Sequence, residues 1–163
     1  MTTPSTAPMD LKPLEAPAAE ILTRYDQKKA AMLPLLHLVQ EKFGYIPPEG
    51  EQWVGEKVGV AISHVREVVS FYTMFRTAPI GKSHIQVCTN LPCVLRGAEA
   101  MVAYFKECLG IEVGQTTADG KFTLSSVECL CACEIAPMCQ VNDRYVGPLD
   151  RQQVDRILEE GRA

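Results

Sequence analysis

Two cysteine-rich segments decide the fold of the second half of this chain: C-T-N-L-P-C at residues 88–93 and V-E-C-L-C-A-C-E-I-A-P-M at residues 127–138. The first contains a C-x4-C pair and the second a C-x3-C pair, with 35 residues between the pairs. Two close pairs from distant loops are typical of a site that binds a metal ion or cluster through four thiolates, because each pair holds one side of it. The four cysteines are Cys88, Cys93, Cys129 and Cys133.

The spacing within the pairs favours a binuclear 2Fe-2S cluster over a single zinc ion. Zinc ribbons usually bind one ion through C-x2-C knuckles, and the chain contains no C-x2-C motif. Wider loops suit a 2Fe-2S cluster, in which each pair binds its own iron. The absence of C-x2-C also disfavours a thiol-disulfide enzyme of the thioredoxin type, whose low-pKa cysteine lies in that motif.

The remaining three of the seven cysteines are interpreted differently. Cys108 lies in a predicted helix and Cys139 starts a predicted strand, and both are expected to be core residues, since a free cysteine packs as a small hydrophobic side chain. Cys131 stands between two candidate ligands, and its role stays open at this point. The histidines are expected not to be ligands; they are His37, His64 and His84.

Composition excludes several classes of protein. The 163 residues include 16 Lys and Arg against 20 Asp and Glu, a net charge of −4, which disfavours a nucleic-acid binder. No run approaches the length of about 18 apolar residues that a membrane span needs, so no membrane insertion is expected. The first 17 residues contain no apolar signal segment. We therefore expect a cytoplasmic chain with reduced thiols.

The first half of the chain is predicted to be helical after a disordered arm. Residues 1–18 hold four prolines and form the predicted arm. Apolar residues recur at helical spacing over 19–44, and Pro34 should kink or divide this helix. A second helix is expected over 47–59 and a third from Ser63, its candidate N-cap. A helical bundle is therefore predicted over 19–78.

The second half, residues 79–163, alternates strand and helix patterns and is predicted to be one α/β domain. Its expected elements are a strand ending at Cys88, a helix over 97–110, a hairpin turning at Asp119-Gly120, a hairpin over 138–146, and a helix opened by a capping box of Asp150 and Gln153.

The chain resembles the E-type 2Fe-2S subunits of respiratory NADH:quinone oxidoreductase (complex I), a thioredoxin-like ferredoxin family. The resemblance covers about residues 19–160 and lies in L-L-H-L-V-Q-E-K-F-G-Y-I-P at 35–47, V-V-S-F-Y-T-M-F at 68–75 and the two cysteine segments. It implies an α+β fold: an N-terminal helical bundle followed by a thioredoxin-like α/β domain that carries one 2Fe-2S cluster. The residues that match the family's ligands are Cys88, Cys93, Cys129 and Cys133.

This resemblance also implies a function. The chain would be an electron-transfer subunit, without a catalytic site of its own, that exchanges single electrons with the FMN of a larger NADH-binding flavoprotein. FMN and NADH would belong to that partner, so the isolated chain should lack NADH activity. Its place would be the cytoplasmic, peripheral arm of a membrane-bound complex of the bacterial type. The alternatives are the small subunit of an NAD-linked hydrogenase or formate dehydrogenase and, in a different class, a structural zinc or assembly module.

One position departs from the family pattern. The family usually reads C-L-G-A-C where this chain reads C-L-C-A-C, so Cys131 replaces the glycine. If that position needs a positive φ, the Cβ of Cys131 costs about 1 kcal/mol. Alternatively, Cys131 could displace a neighbouring ligand or be an oxidation-sensitive thiol.

Overall fold

The computed structural model describes residues 10–162. The chain divides into two compact units, Met1–Pro79 and Ile80–Ala163. The division falls next to the predicted boundary between residues 78 and 79. Residues 1–9 of the predicted arm lie outside the described residues.

The first unit contains helices and no strand in its described part, as predicted. Its helices are α1 (Glu15–Leu22), α2 (Met32–Phe43), α3 (Pro48–Val58) and α4 (Ile62–Phe71), with 3-10 turns at Lys12–Leu14 and Lys28–Ala31. Their apolar faces meet in one core that includes Leu35, Leu36, Val39, Val54 and Val65. Glu51 is also buried in this unit, at 1% exposure, and the Arg66 Nε donates to its carboxylate at 2.6 Å.

The predicted arm is too long at its C-terminal end, because residues 12–22 are helical. Leu14 and Ala18, four residues apart, bury their side chains in the helical core. Pro17 is compatible with this helix since it stands in the first turn, where the missing N–H has no partner to lose. The side chain of Glu15 also ties α1 to α3: it accepts from Trp53 Nε1 at 2.8 Å and pairs with the Lys57 ammonium.

Two other local predictions for this unit need correction in part. The helix expected over 19–44 is divided, as one of the two predicted outcomes required, but the break lies between Leu22 and Met32 and not at Pro34, which occupies the first turn of α2. The candidate N-cap Ser63 lies inside α4 instead of before it. Ala61 takes the capping position with extended backbone and no side-chain bond, which sequence preference alone does not indicate.

The second unit is built on a four-stranded mixed sheet, which confirms the α+β class. Its elements are β1 (Ser83–Cys88), α5 (Leu91–Leu95), α6 (Ala98–Leu109), β2 (Phe122–Val127), a 3-10 turn (Cys133–Ile135), β3 (Cys139–Val141), β4 (Arg144–Val146) and α7 (Arg151–Arg162). The strand order is β2-β1-β3-β4. Strand β1 runs parallel to β2 and antiparallel to β3.

Strand register explains why the two cysteine segments meet. Cys88 ends β1 and pairs with Val127, which ends the parallel strand β2. Parallel strands place their carboxyl ends at the same edge of a sheet. The segment after β2 returns to this edge, because Cys139 at the start of β3 pairs with Val87. Both cysteine loops therefore lie at one edge of the sheet.

The remaining predictions for the second unit have mixed outcomes. The hairpin over 138–146 and the cap of α7 are confirmed, since Asp150 Oδ1 accepts from the Gln153 N–H at 2.7 Å. The hairpin at Asp119-Gly120 is wrong in part: β2 forms, but its antiparallel neighbour is reduced to one bridge between Thr116 and Thr123. Within residues 10–162, no helix combines the length and apolar character required to cross a bilayer.

Candidate metal centre

The inner pair, Cys88 and Cys93, is built into the core of the second unit. Cys88 ends β1 and Cys93 lies in the first turn of α5, and their exposures are 3% and 2%. The two cysteines pack in an apolar cluster with Ala98, Ala132, Ala136 and Met138. Regular structure and burial therefore fix both sulfurs.

Helix α5 was missed by sequence reasoning, which placed Cys93 just before the helix at residue 97. Asn90 caps α5, since its side chain accepts from the Leu91 N–H at 2.8 Å, and Pro92 stands in the first turn. Both residues are common helix-start signals. The segment is five residues long, too short for the periodicity of a helix to show.

The outer pair, Cys129 and Cys133, lies on an irregular segment between β2 and β3. Both side chains are exposed, and Cys133 opens the 3-10 turn that ends at Ile135. The backbone of Gly147 packs closely against this turn. A Cβ at Gly147 would clash with the Ile135 carbonyl oxygen and approach Met138. A glycine before a proline gives no sequence signal for such a close approach.

Electrostatic interactions connect the two pairs. The pKa of the Cys93 thiol is raised by burial first and then by a hydrogen bond with Cys88, while the charges of Cys88 and Cys133 add to the increase. A backbone hydrogen bond with Met138 acts in the opposite direction. This interaction couples Cys133, on the segment between β2 and β3, to the inner pair. Binding of a metal by Cys93 must displace the proton that this environment favours.

Cys131 belongs to the same group of thiols. Its φ of 55° lies in the left-handed region, as expected if the family's glycine is required there. The Cys131 N–H donates to Cys129 Sγ at 3.3 Å, and the two sulfurs lie 3.8 Å apart. The pKa of Cys131 is raised, first by the hydrogen bond with Cys129 and then by nearby charges that include Cys133 and Cys88. The fold thus places both cysteine loops at one edge of the sheet, with Cys131 in contact with Cys129.

This donor set fits a 2Fe-2S cluster. Thiolates are the usual ligands of such clusters, and an apolar surrounding with backbone N–H donors stabilises their sulfurs. The apolar cluster beside the inner pair and the Cys131 N–H provide these features. Among residues 10–162, no three Cys, His, Asp or Glu side chains are grouped as ligands of one metal ion. A 2Fe-2S cluster requires a different arrangement, with two protein sulfurs at each iron.

The two cysteines expected in the core and the three histidines have other surroundings. Cys139 is fully buried in the core between the sheet and its helices, and burial raises its pKa to about 12. Cys108 is half-buried and packs against the same core. The three histidines have other neighbours: His37 contacts the Phe75 ring, His64 contacts Glu67, and His84 Nε2 lies 2.8 Å from Ser125 Oγ.

The chain is similar to known proteins over most of its length. The NADH-quinone oxidoreductase E 2 subunit of Rhizobium meliloti (strain 1021) is 45% identical over 150 residues, which cover 92% of this chain and 87% of the relative. The NADH-quinone oxidoreductase E subunit of Rickettsia conorii (strain ATCC VR-613 / Malish 7) is 40% identical over 145 residues, 87% of each chain.

A solved structure shows the same fold at lower identity. A chain of NAD+-reducing [NiFe]-hydrogenase in the air-oxidized state superposes with a TM-score of 0.71 and 20% identity. The match covers 80% of this chain but only 22% of the hydrogenase chain. The profile of the thioredoxin-like [2Fe-2S] ferredoxin family matches residues 18–162, which include both cysteine segments. The chain therefore belongs to the thioredoxin-like [2Fe-2S] ferredoxin family.

Proposed function

We propose that this chain is the electron-transfer subunit of an NADH-quinone oxidoreductase. It would bind one 2Fe-2S cluster and exchange single electrons with the FMN of a larger, NADH-binding flavoprotein. The observation that carries the proposal is the meeting of two cysteine pairs at one edge of the sheet, one pair buried and one exposed. The proposed ligands are Cys88, Cys93, Cys129 and Cys133.

The inner side of the centre suits the binding of a redox group. When bound, a 2Fe-2S cluster supplies one-electron transfer, and the protein supplies ligands and surroundings. Cys88 and Cys93 would hold one iron from within the core, where Ala136 and Met138 exclude water. The Cys131 N–H would stabilise negative charge on the Cys129 sulfur. Exclusion of water and amide hydrogen bonds are two means by which a protein sets the reduction potential.

The outer side suits electron exchange with another protein. The outer pair is exposed, so a redox group held there would be accessible from the surface of this unit. Helix α5 also presents Leu91 and Leu95 to solvent, at 66% and 78% exposure, on the element that carries Cys93. Exposed apolar side chains suit the centre of an interface. We propose that the flavoprotein covers this surface, so that its FMN lies close to the centre.

Similarity to relatives named as E subunits of NADH-quinone oxidoreductase supports this parent complex over the alternatives. By the same resemblance, we place the chain in the cytoplasmic, peripheral arm of a membrane-bound complex, with FMN and NADH bound by the partner. The likeness to the hydrogenase chain, at 20% identity, concerns the fold alone and does not favour a hydrogenase. The zinc or assembly module gains no support from the grouping of side chains in residues 10–162.

Reduction by NADH with and without the partner tests this function. The anaerobically purified chain should keep its visible absorption unchanged when NADH is added, and should lose it when the NADH- and FMN-binding flavoprotein that co-purifies with it is also present. NADH oxidation by the isolated chain, or a co-purifying complex without FMN, would contradict the proposal.

A pair of matched variants tests the proposed partner surface. Leu95→Asp places a charge on the exposed face of α5, and we expect it to weaken association with the flavoprotein by about tenfold or more. Val113→Asp changes an exposed apolar residue in the loop before β2 and should leave association unchanged. Equal effects of the two variants on the dissociation constant, measured by biolayer interferometry, would rule out α5 as the contact.

A further inference from the structure

The outer loop contains more thiols than the proposed site requires. A 2Fe-2S cluster takes four protein ligands, and two of them would come from this loop. The segment C-L-C-A-C nevertheless provides three cysteines, all exposed: Cys129, Cys131 and Cys133. The third thiol cannot be assigned to the core, in contrast to Cys139, because it is exposed to solvent.

The position of the surplus thiol is defined by its contact with Cys129. The sulfurs of Cys129 and Cys131 lie 3.8 Å apart, in van der Waals contact. The positive φ of Cys131 turns the chain there, and its N–H points to the Cys129 sulfur at 3.3 Å. A metal held by Cys129 would therefore have the Cys131 sulfur beside one of its ligands. The sulfurs of the inner pair are buried instead, and the buried cysteine Cys139 belongs to a separate apolar cluster.

We propose that Cys131 is an alternative ligand of the proposed cluster, able to bind the iron in place of Cys129. The inference rests on the proposed function, because it presupposes a cluster at this centre. Exchange would break one iron-sulfur bond at Cys129 and form one at Cys131; the Cys131 thiol would give up its proton and the Cys129 thiolate would accept one. Iron would keep its oxidation state and its number of ligands. An irregular, exposed loop can make the small shift that this exchange requires, whereas the buried inner pair cannot.

Anaerobic reconstitution of the full chain with ferric iron and sulfide tests the exchange. Cys129→Ala should retain bound iron and acid-labile sulfide close to the wild-type amounts, with altered visible circular dichroism because the ligand has changed. The double variant Cys129→Ala with Cys131→Ala, and the single variant Cys133→Ala, should lose both by about tenfold or more, since even a supporting contact of a metal ligand is worth that much. Cys108→Ala is the control and should load fully.

Alkylation with iodoacetamide, read by mass spectrometry, gives a second measurement on the same samples. In loaded Cys129→Ala, Cys131 should be protected; in the unloaded variant it should react. Loss of the cluster in Cys129→Ala equal to that in Cys133→Ala, or full reaction of Cys131 in a loaded Cys129→Ala sample, would overturn the inference. Far-UV circular dichroism of the unloaded samples shows whether each variant is folded, and a folded Cys129→Ala chain that fails to load overturns the inference. A wild-type chain that binds no iron and sulfide would instead contradict the proposed function.

Discussion

The two pairs of cysteines in the centre lie in very different surroundings. The inner pair, Cys88 and Cys93, is buried on regular structure, at the end of β1 and within α5. The outer pair, Cys129 and Cys133, is exposed on the irregular segment between β2 and β3. The packing of the second unit therefore fixes the inner sulfurs, whereas short local contacts of the loop fix the outer ones.

This difference separates two tasks of a redox centre. Burial at the inner pair provides rigidity and excludes water, and both help to define a reduction potential. Exposure at the outer pair provides access for a partner and leaves room for sequence change. Cys131 illustrates that freedom, because the additional thiol of the outer loop is exposed to solvent and does not enter the core.

Removal of an inner ligand should have the largest effect. Cys88→Ala or Cys93→Ala should reduce bound iron and sulfide by about tenfold or more, because both ligands are buried on regular structure, where a thiol of the exposed loop cannot take their place. Elemental and acid-labile sulfide analysis after anaerobic reconstitution measures the loss. Cys108→Ser should match the wild type, since Cys108 packs outside the centre. Wild-type loading in Cys93→Ala would remove the distinction between the two pairs.

Truncation of Met138, which packs with the inner pair, should have the next largest effect. Met138 is fully buried against Cys88 and Cys93, so Met138→Ala should lower the free energy of unfolding by about 2–5 kcal/mol. Met74, at 49% exposure, is the matched control, and Met74→Ala should change stability by less than about 0.5 kcal/mol. Urea titration followed by circular dichroism measures both. Similar small effects would show that the inner pair lacks a rigid support.

A methyl group added at Gly147, against the turn that begins at Cys133, should have a moderate effect on stability and cluster loading. Gly147→Ala would drive a Cβ into the Ile135 carbonyl oxygen, at a cost of about 1–3 kcal/mol, and should also reduce cluster loading by displacing the turn that begins at Cys133. Gly120→Ala is the control: no atom lies within 4 Å of the added methyl, and only the positive φ opposes it. That variant should be destabilised without loss of iron. Loading that falls equally in the two variants would contradict a specific role of Gly147.

Relief of backbone strain at Cys131 should have the smallest effect. A residue with a Cβ at φ 55° costs about 1–2 kcal/mol, and part of this is offset by the greater entropy of glycine in the unfolded chain. Cys131→Gly should therefore stabilise the unloaded chain by up to about 1 kcal/mol, whereas Cys131→Ala should not. Differential scanning calorimetry of the unloaded variants measures the shift. A less stable glycine variant would mean that the thiol itself supports the loop.

Local signals were sufficient to predict much of the fold. Pro48 and Gly59 mark the ends of α3, and the capping box at Asp150 marks the start of α7, because both signals act within one helical turn. Predictions failed where tertiary contacts decide. Helix α1 extends back to Glu15 because Leu14 is buried against residues distant in sequence, which periodicity from Ala19 onward could not show.

Predictions for the site also depended on local signals and failed where tertiary contacts decide. The spacing of the cysteines led to the prediction of four ligands in two close pairs, and the identity of those ligands stays a prediction. The spacing could not show that one pair is buried and the other exposed, because this depends on the pairing of β1 with β2 and on the unpredicted helix α5. Nor could it show the contact between Cys129 and Cys131, which results from a positive φ at a residue other than glycine.

The central claim is that two cysteine pairs of unequal burial together bind one 2Fe-2S cluster. Iron, zinc and acid-labile sulfide analysis of the anaerobically purified full chain, combined with electron paramagnetic resonance after reduction, tests it most directly. We expect iron and sulfide at a ratio of about two to two per chain and a reduced-state signal from one 2Fe-2S cluster. One zinc ion per chain, or iron without labile sulfide, would contradict the account.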